Sequence, residues 1–153
     1  MDCVFCKIVS GEYSSYKLWE DDNYLAILDL FPAVDGQTLV ISKKHLDSNI
    51  FNLESEDFLN INLAAQKVAK LLVKLLGVVR CAEVIEGLGV NHAHIKLFPL
   101  TESKLAEGGL VALGEKASDE KLSELQNLII SPPSPADAGF CEVKGGMISK
   151  CLQ

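Results

Sequence analysis

Histidine is scarce in this chain and positive charge is outnumbered. There are three histidines among 153 residues, and 14 Lys and Arg stand against 21 Asp and Glu, a net charge of -7. That balance excludes the basic footprint that duplex nucleic acid requires. It still permits a small anionic ligand, because a local basic cleft can exist on an acidic protein. No apolar run reaches the roughly 20 residues of a membrane span. The opening residues, Met1-Asp2-Cys3-Val4-Phe5-Cys6, have neither the basic start nor the apolar block of a secretory leader, so a cytoplasmic protein is expected. Five cysteines are an odd number, which excludes a disulfide framework that pairs them all. There are no internal repeats. What remains is an ordinary globular composition, 48% hydrophobic, in a length that fits one domain with a sizeable core.

The stretch that organises the rest is His92-Ala93-His94-Ile95-Lys96-Leu97-Phe98-Pro99. Apolar residues alternate with polar ones, and the pattern predicts a strand that Pro99 closes. Residues two apart in a strand point the same way. His92, His94 and Lys96 therefore share one face, and Ala93, Ile95 and Leu97 the other. The apolar face packs on a core while the basic face looks into a cleft. Two imidazoles and an ammonium, spaced roughly 7 Å apart, suit a phosphate or a metal. The plain alternative is a pair of structural histidines.

The rest of the chain supplies the surroundings. Val4 to Val9 reads as one or two helical turns ended by Ser10-Gly11. Tyr16 to Trp19 and Tyr24 to Leu28 read as short strands joined by the polar turn Glu20-Asp21-Asp22-Asn23, and Asp29 falls where the second strand ends. Thr38 to Ile41 is a third strand, followed directly by Ser42-Lys43-Lys44-His45. Ser55 is the expected N-cap of a long helix, with Glu56 and Asp57 in its first turn, where the helix dipole favours acids. Phe58, Ile61, Ala65, Val68, Leu72 and Leu75 recur at helical spacing, and Gly77 is a natural stop. Val78 to Ile85 is a fourth strand, and a glycine-containing loop from Glu86 leads into the His92 strand. Beyond Pro99 the pattern changes: a loop, a helix expected over residues 118–130, and a tail after the proline cluster at 132–135. The expectation is an α+β fold with an antiparallel sheet in residues 1–100 and a C-terminal extension over 101–153.

All three imidazoles, His45, His92 and His94, converge on one end of the sheet if the third and last strands lie together. Cys3 and Cys6 have the two-residue gap that lets two thiolates grip one tetrahedral metal. Zinc would need two further ligands, for which His45 and His92 are the favoured pair, leaving His94 metal-free; two reduced, half-buried thiols are the alternative. Cys81 reads as core packing. The glycines of Glu86-Gly87-Leu88-Gly89-Val90 either bring backbone N–H groups to a phosphate or only make a tight turn. Asp29 reads as a ribose-binding carboxylate or a solvated strand end, and Lys43-Lys44, most simply, as a solvated pair.

Taken together, four ordered pieces resemble the histidine-triad (HIT) family, in its bacterial or archaeal zinc-containing type. They are Cys3 to Glu12, Glu20 to Asp29, Gly36 to His45 and Val90 to Lys96. The resemblance runs from about Cys3 to Leu100. It implies a five-stranded antiparallel sheet with one long helix and a short N-terminal helix, in a homodimer. It further implies a nucleotide-binding hydrolase or transferase that cleaves dinucleoside polyphosphates or nucleoside phosphoramidates through a nucleotidyl-histidine intermediate. His94 would be the nucleophile, with His92 and Lys96 in the other triad positions. Asp29 would hold the ribose, and Phe5, Ile8, Ile27 and Leu28 would surround the base. Gly89 and Val90 would lie at the phosphate. Cys3, Cys6, His45 and His92 would hold a structural zinc.

The chain departs from the family pattern in ways that bear on chemistry. Lys96 replaces the third triad histidine, Gln37 a frequent histidine, Ser42 a frequent proline, Ile85 an asparagine often found ahead of the loop, and Gly89 a common serine or threonine; the loop itself is short. An ammonium gives up a proton reluctantly at neutral pH, and an amine leaving group needs that proton where a nucleotide polyphosphate does not. A preference for dinucleoside polyphosphates follows. A second class stays open: a catalytically weak nucleotide-binding protein, or a zinc-stabilised interaction protein, on the same fold.

Overall fold

The computed structural model describes residues 2–108 together with Ser118 and Glu120. The chain divides into two units, Met1–Ala112 and Leu113–Gln153, and the elements below belong to the first. The helix expected over residues 118–130 lies outside the described residues apart from those two positions.

Five strands, β1 (Lys17–Glu20), β2 (Tyr24–Leu28), β3 (Thr38–Ser42), β4 (Arg80–Val84) and β5 (His94–Leu100), form one antiparallel sheet in the order β1-β2-β3-β5-β4. Three helices accompany it: α1 (Val4–Val9), α2 (Ser55–Leu76) and α3 (Glu102–Ala106). The expected α+β architecture is therefore present. β2 and β3 are buried almost throughout, so they carry near-continuous apolar runs, whereas β1 and β4 are the half-exposed edges. No helix among the described residues is long and apolar enough to cross a membrane.

Alternation along the strands builds two separate apolar layers. Ala26, Val40, Ala93, Ile95 and Leu97 meet Ile61, Ala65, Val68 and Leu72 of α2. Leu25, Ile27, Leu39 and Ile41 meet Phe5 and Ile8 of α1 on the opposite face. Cross-strand pairing places Ile41 beside His94 and Leu39 beside Lys96, so both polar residues of β5 belong to the α1 face. α2 ends where expected, at Gly77, whose φ of 64° suits a residue without Cβ.

Four expectations are corrected. His92 precedes β5: its N–H bonds to the Val90 carbonyl, and Ala93 exchanges backbone bonds with Leu46 and Ser42 in place of a strand ladder. Pro99 lies inside β5 and does not close it. The β3 pairing stops at Leu97, so β4 alone flanks Pro99 and its missing N–H leaves no gap in the β3 ladder. Ser55 is the first helical residue; Glu54 takes the N-cap position with no side-chain cap bond. Leu75 is 69% exposed, so the buried stripe of α2 stops at Leu72.

Gly87 is held tightly at the end of this framework. Its φ is +66°, and a Cβ there would lie 2.5 Å from the Ser48 carbonyl oxygen, whereas a Cβ on Gly89 would meet nothing within 4 Å. Gly87→Ala is expected to cost about 2 kcal/mol or more, and Gly89→Ala only the smaller price of a left-handed alanine. Thermal unfolding of the two variants checks the order.

Candidate functional site

The site begins with α1. Cys3 precedes the helix and Cys6 lies one turn later, so both sulfurs face the same side. His45 follows β3 and His92 precedes β5. The four ligand atoms of Cys3, Cys6, His45 and His92 all lie within 4.8 Å of one another. Nδ1 of His45 is 3.3 Å from the Cys6 sulfur, and Nδ1 of His92 is 3.4 Å from the Cys3 sulfur and 3.5 Å from that of Cys6. A tetrahedral ion with bonds of about 2.0–2.3 Å fits inside such a quartet.

The tautomers also suit a metal. Nε2 of His92 lies 2.6 Å from the Ser42 carbonyl, which can only accept, so the neutral ring carries its proton on Nε2 and turns the Nδ1 lone pair to the sulfurs. Burial holds His92 below its ordinary pKa, against the opposing pull of the Ser42 bond. Burial also raises the Cys6 thiol, with Cys3 adding to the effect. A bound cation reverses that pressure by stabilising thiolate.

His94 stands outside the quartet. Its Nδ1 is 2.7 Å from the His92 carbonyl, so the same argument puts the proton on Nδ1 and the lone pair on Nε2. Nε2 makes no hydrogen bond among the described residues and is not sealed from solvent, although the residue is only 3% exposed. Phe5 packs edge-on against both rings, with centroids 5.2 Å from His94 and 5.7 Å from His92. Lys96 does not stand free: its ammonium lies 2.6 Å from a Glu86 carboxylate oxygen.

On the same face a cavity of about 470 Å³ is lined by Ile8, Ile27, Leu28, Leu30 and the segment Ser14–Tyr16. Phe5 is not in its wall. Asp29 closes the end of β2, where its carboxylate accepts from the Phe31 N–H at 2.9 Å and from Gln37 Nε2 at 2.5 Å; Gln37 in turn accepts from the Ala33 N–H. Gly89 is exposed and Val90 packs against the α1-side layer. Lys43 pairs with Glu20 at 2.7 Å, and Lys44 lies 3.7 Å from Asp57. Two residues escaped the sequence reading. Glu86 reads in the sequence as part of a loop, and only its place two residues beyond Val84 hints at the shared face. The Ser15 hydroxyl is buried without a hydrogen-bond partner among the described residues, and no pattern marks it.

A five-stranded antiparallel sheet with a Cys-Cys-His-His corner beside a third imidazole defines a narrow class. The HIT domain family model matches residues 10–103, and the chain belongs to that family. An uncharacterized HIT-like protein of Methanocaldococcus jannaschii is 32% identical over 131 residues, covering 81% of this chain and 98% of the relative. The adenosine 5'-monophosphoramidase of Saccharomyces cerevisiae is 28% identical over 137 residues, covering 88% and 85%. The crystal structure of a Streptococcus mutans protein superposes with a TM-score of 0.71 at 32% identity, over 84% of this chain and 83% of that one.

Cys81, by contrast, is a packing residue whose thiol burial pushes up to about 11. At pH 8 its thiolate fraction should be roughly 100-fold below that of an ordinary cysteine. Peptide-resolved alkylation of the native protein should label Cys81 correspondingly slowly and recover full speed in denaturant.

Proposed function

We propose that the protein is a nucleotide hydrolase or transferase that works through a nucleotidyl-His94 intermediate. The observation that carries this reading is the His94 ring, whose Nδ1 proton is committed to the His92 carbonyl while Nε2 makes no hydrogen bond among the described residues. Neutral imidazole so oriented is a competent nucleophile toward an α-phosphorus. Attack breaks the bond from that phosphorus to the leaving group, which departs; water then cleaves the P–N bond, releasing the nucleotide and restoring the ring.

The neighbouring groups support each further role. The aliphatic cavity beside Ile8, Ile27 and Leu28 accommodates a base. A carboxylate has about four acceptor positions, so Asp29 retains capacity for ribose hydroxyls after its two internal bonds. Backbone N–H groups at Gly89 and Val90 would stabilise the oxygens of the transferred phosphoryl group, and the charge of Lys96 those of the leaving group. Phe5 packs against the imidazoles and does not line this cavity. The Cys3, Cys6, His45 and His92 quartet would hold a structural zinc. Among the described residues β4 is an edge strand paired only with β5, which suits a homodimer.

Lys96 in the third triad position favours substrates whose leaving group needs no proton, so dinucleoside polyphosphates are expected to turn over faster than phosphoramidates. One observation favours a second reading, a nucleotide-binding protein with weak chemistry: His94 is 3% exposed and does not line the cavity. Steady-state assays separate the two. Wild type should cleave a diadenosine polyphosphate faster than adenosine phosphoramidate. His94→Ala should lose about 1,000-fold or more in turnover while nucleotide affinity changes little. Faster phosphoramidate cleavage would overturn the substrate preference, and tight binding without turnover in wild type would favour the second reading. Metal analysis should find one zinc per chain in wild type and a loss of metal and thermal stability in Cys3→Ser.

A further inference from the structure

Glu86 has no role in the chemistry above, yet its carboxylate is the group that holds Lys96. Val84 is the register partner of Lys96, and Ile85 packs with the α2-side layer. Alternation therefore turns Glu86 to the face that bears His94 and Lys96. Continuing the β4–β5 register two residues past Val84 sets Glu86 across from His94. The hydrogen bond from Lys96, and then the charge of that ammonium, hold its carboxyl below the usual range.

The contact is short but breakable. Nζ of Lys96 and the carboxylate are 2.6 Å apart, with the two side chains 26% and 44% exposed. A phosphate oxygen is an equivalent acceptor for an ammonium. Next in the chain, Gly87 runs so close to the Ser48 carbonyl that a Cβ there would clash, whereas the side chain of Glu86 is partly exposed to solvent.

We propose that Glu86 is a specificity-determining residue: it occupies on Lys96 the place taken by the phosphates of the leaving group, so an anionic leaving group must displace it. This rests on the nucleotidyl-transfer reading and deepens it by naming the ligand class at that end of the site, a condensed phosphate chain. The exchange swaps one ion pair for another and makes or breaks no covalent bond. A nucleoside monophosphate, which has no leaving group beyond the α-phosphate, does not need it.

Calorimetric titration of inorganic triphosphate and, separately, of AMP into full-length wild type, Glu86→Gln, Lys96→Gln and the double variant tests the displacement. Glu86→Gln should bind triphosphate about tenfold tighter, with AMP affinity within about twofold of wild type. Lys96→Gln should bind triphosphate more weakly, and the double variant no better than Lys96→Gln alone. Unchanged or weaker triphosphate binding in Glu86→Gln would overturn the proposal. So would an equal gain in both backgrounds, which would mean simple repulsion without competition for the ammonium. Where AMP still binds in those cases, only the displacement fails; if wild type binds neither probe, the nucleotidyl-transfer reading fails with it.

Discussion

One peptide carbonyl, that of His92, joins the two halves of the site. It fixes the proton of His94, while the side chain of the same residue completes the Cys-His corner. Its position is enforced from the other face of the sheet. Ala93, Ile95 and Leu97 are each at most 1% exposed beneath α2. Burying an Ile or Leu side chain is worth about 1.5–3 kcal/mol, and a slip of one residue would put both into the opposite layer. The hydrophobic register of a core strand thus aims the imidazole. The chemistry inherits its geometry from packing that has no chemical role.

The corner has a second consequence for the nucleotide side. α1 has only six residues, too few to be stable alone. Phe5 and Ile8 anchor it by burial, and the Cys3 and Cys6 sulfurs bring it to His45 and His92. Ile8 is also a wall of the cavity. An ion in the quartet would therefore clamp a wall of the cavity as well as the strand that carries His94. All four candidate donors are protein groups, and His94 is not among them.

Much of this was legible in the chain itself, and for identifiable reasons. Ile61, Ala65, Val68 and Leu72 announce α2 because a buried face repeats with the helical period, and the alternation through Leu97 announces β5 because one face meets a core. The Cys3, Cys6, His45 and His92 set was legible because few residue types offer soft or imidazole ligands and the chain has three histidines in all. What was not legible depends on polar geometry with no period. The Glu86–Lys96 pair, the Asp29–Gln37–Ala33 chain of bonds and the unpartnered Ser15 hydroxyl arise where loops meet. α3 has five residues, too few for a pattern, and starts from a cap in which Thr101 Oγ1 accepts from the Lys104 N–H. The departure of His92 from β5 follows from backbone bonds to Leu46 and Ser42, partners about fifty residues away.

The central claim is that His94 Nε2 forms a bond to phosphorus. Rapid quenching of the protein during turnover of a diadenosine polyphosphate, followed by peptide mass spectrometry under conditions that preserve phosphoramidate bonds, tests it directly. The account predicts an adenylyl group on the peptide containing His94, placed on that residue by fragmentation. Turnover with no adduct at any time point, or an adduct on another residue, would contradict it.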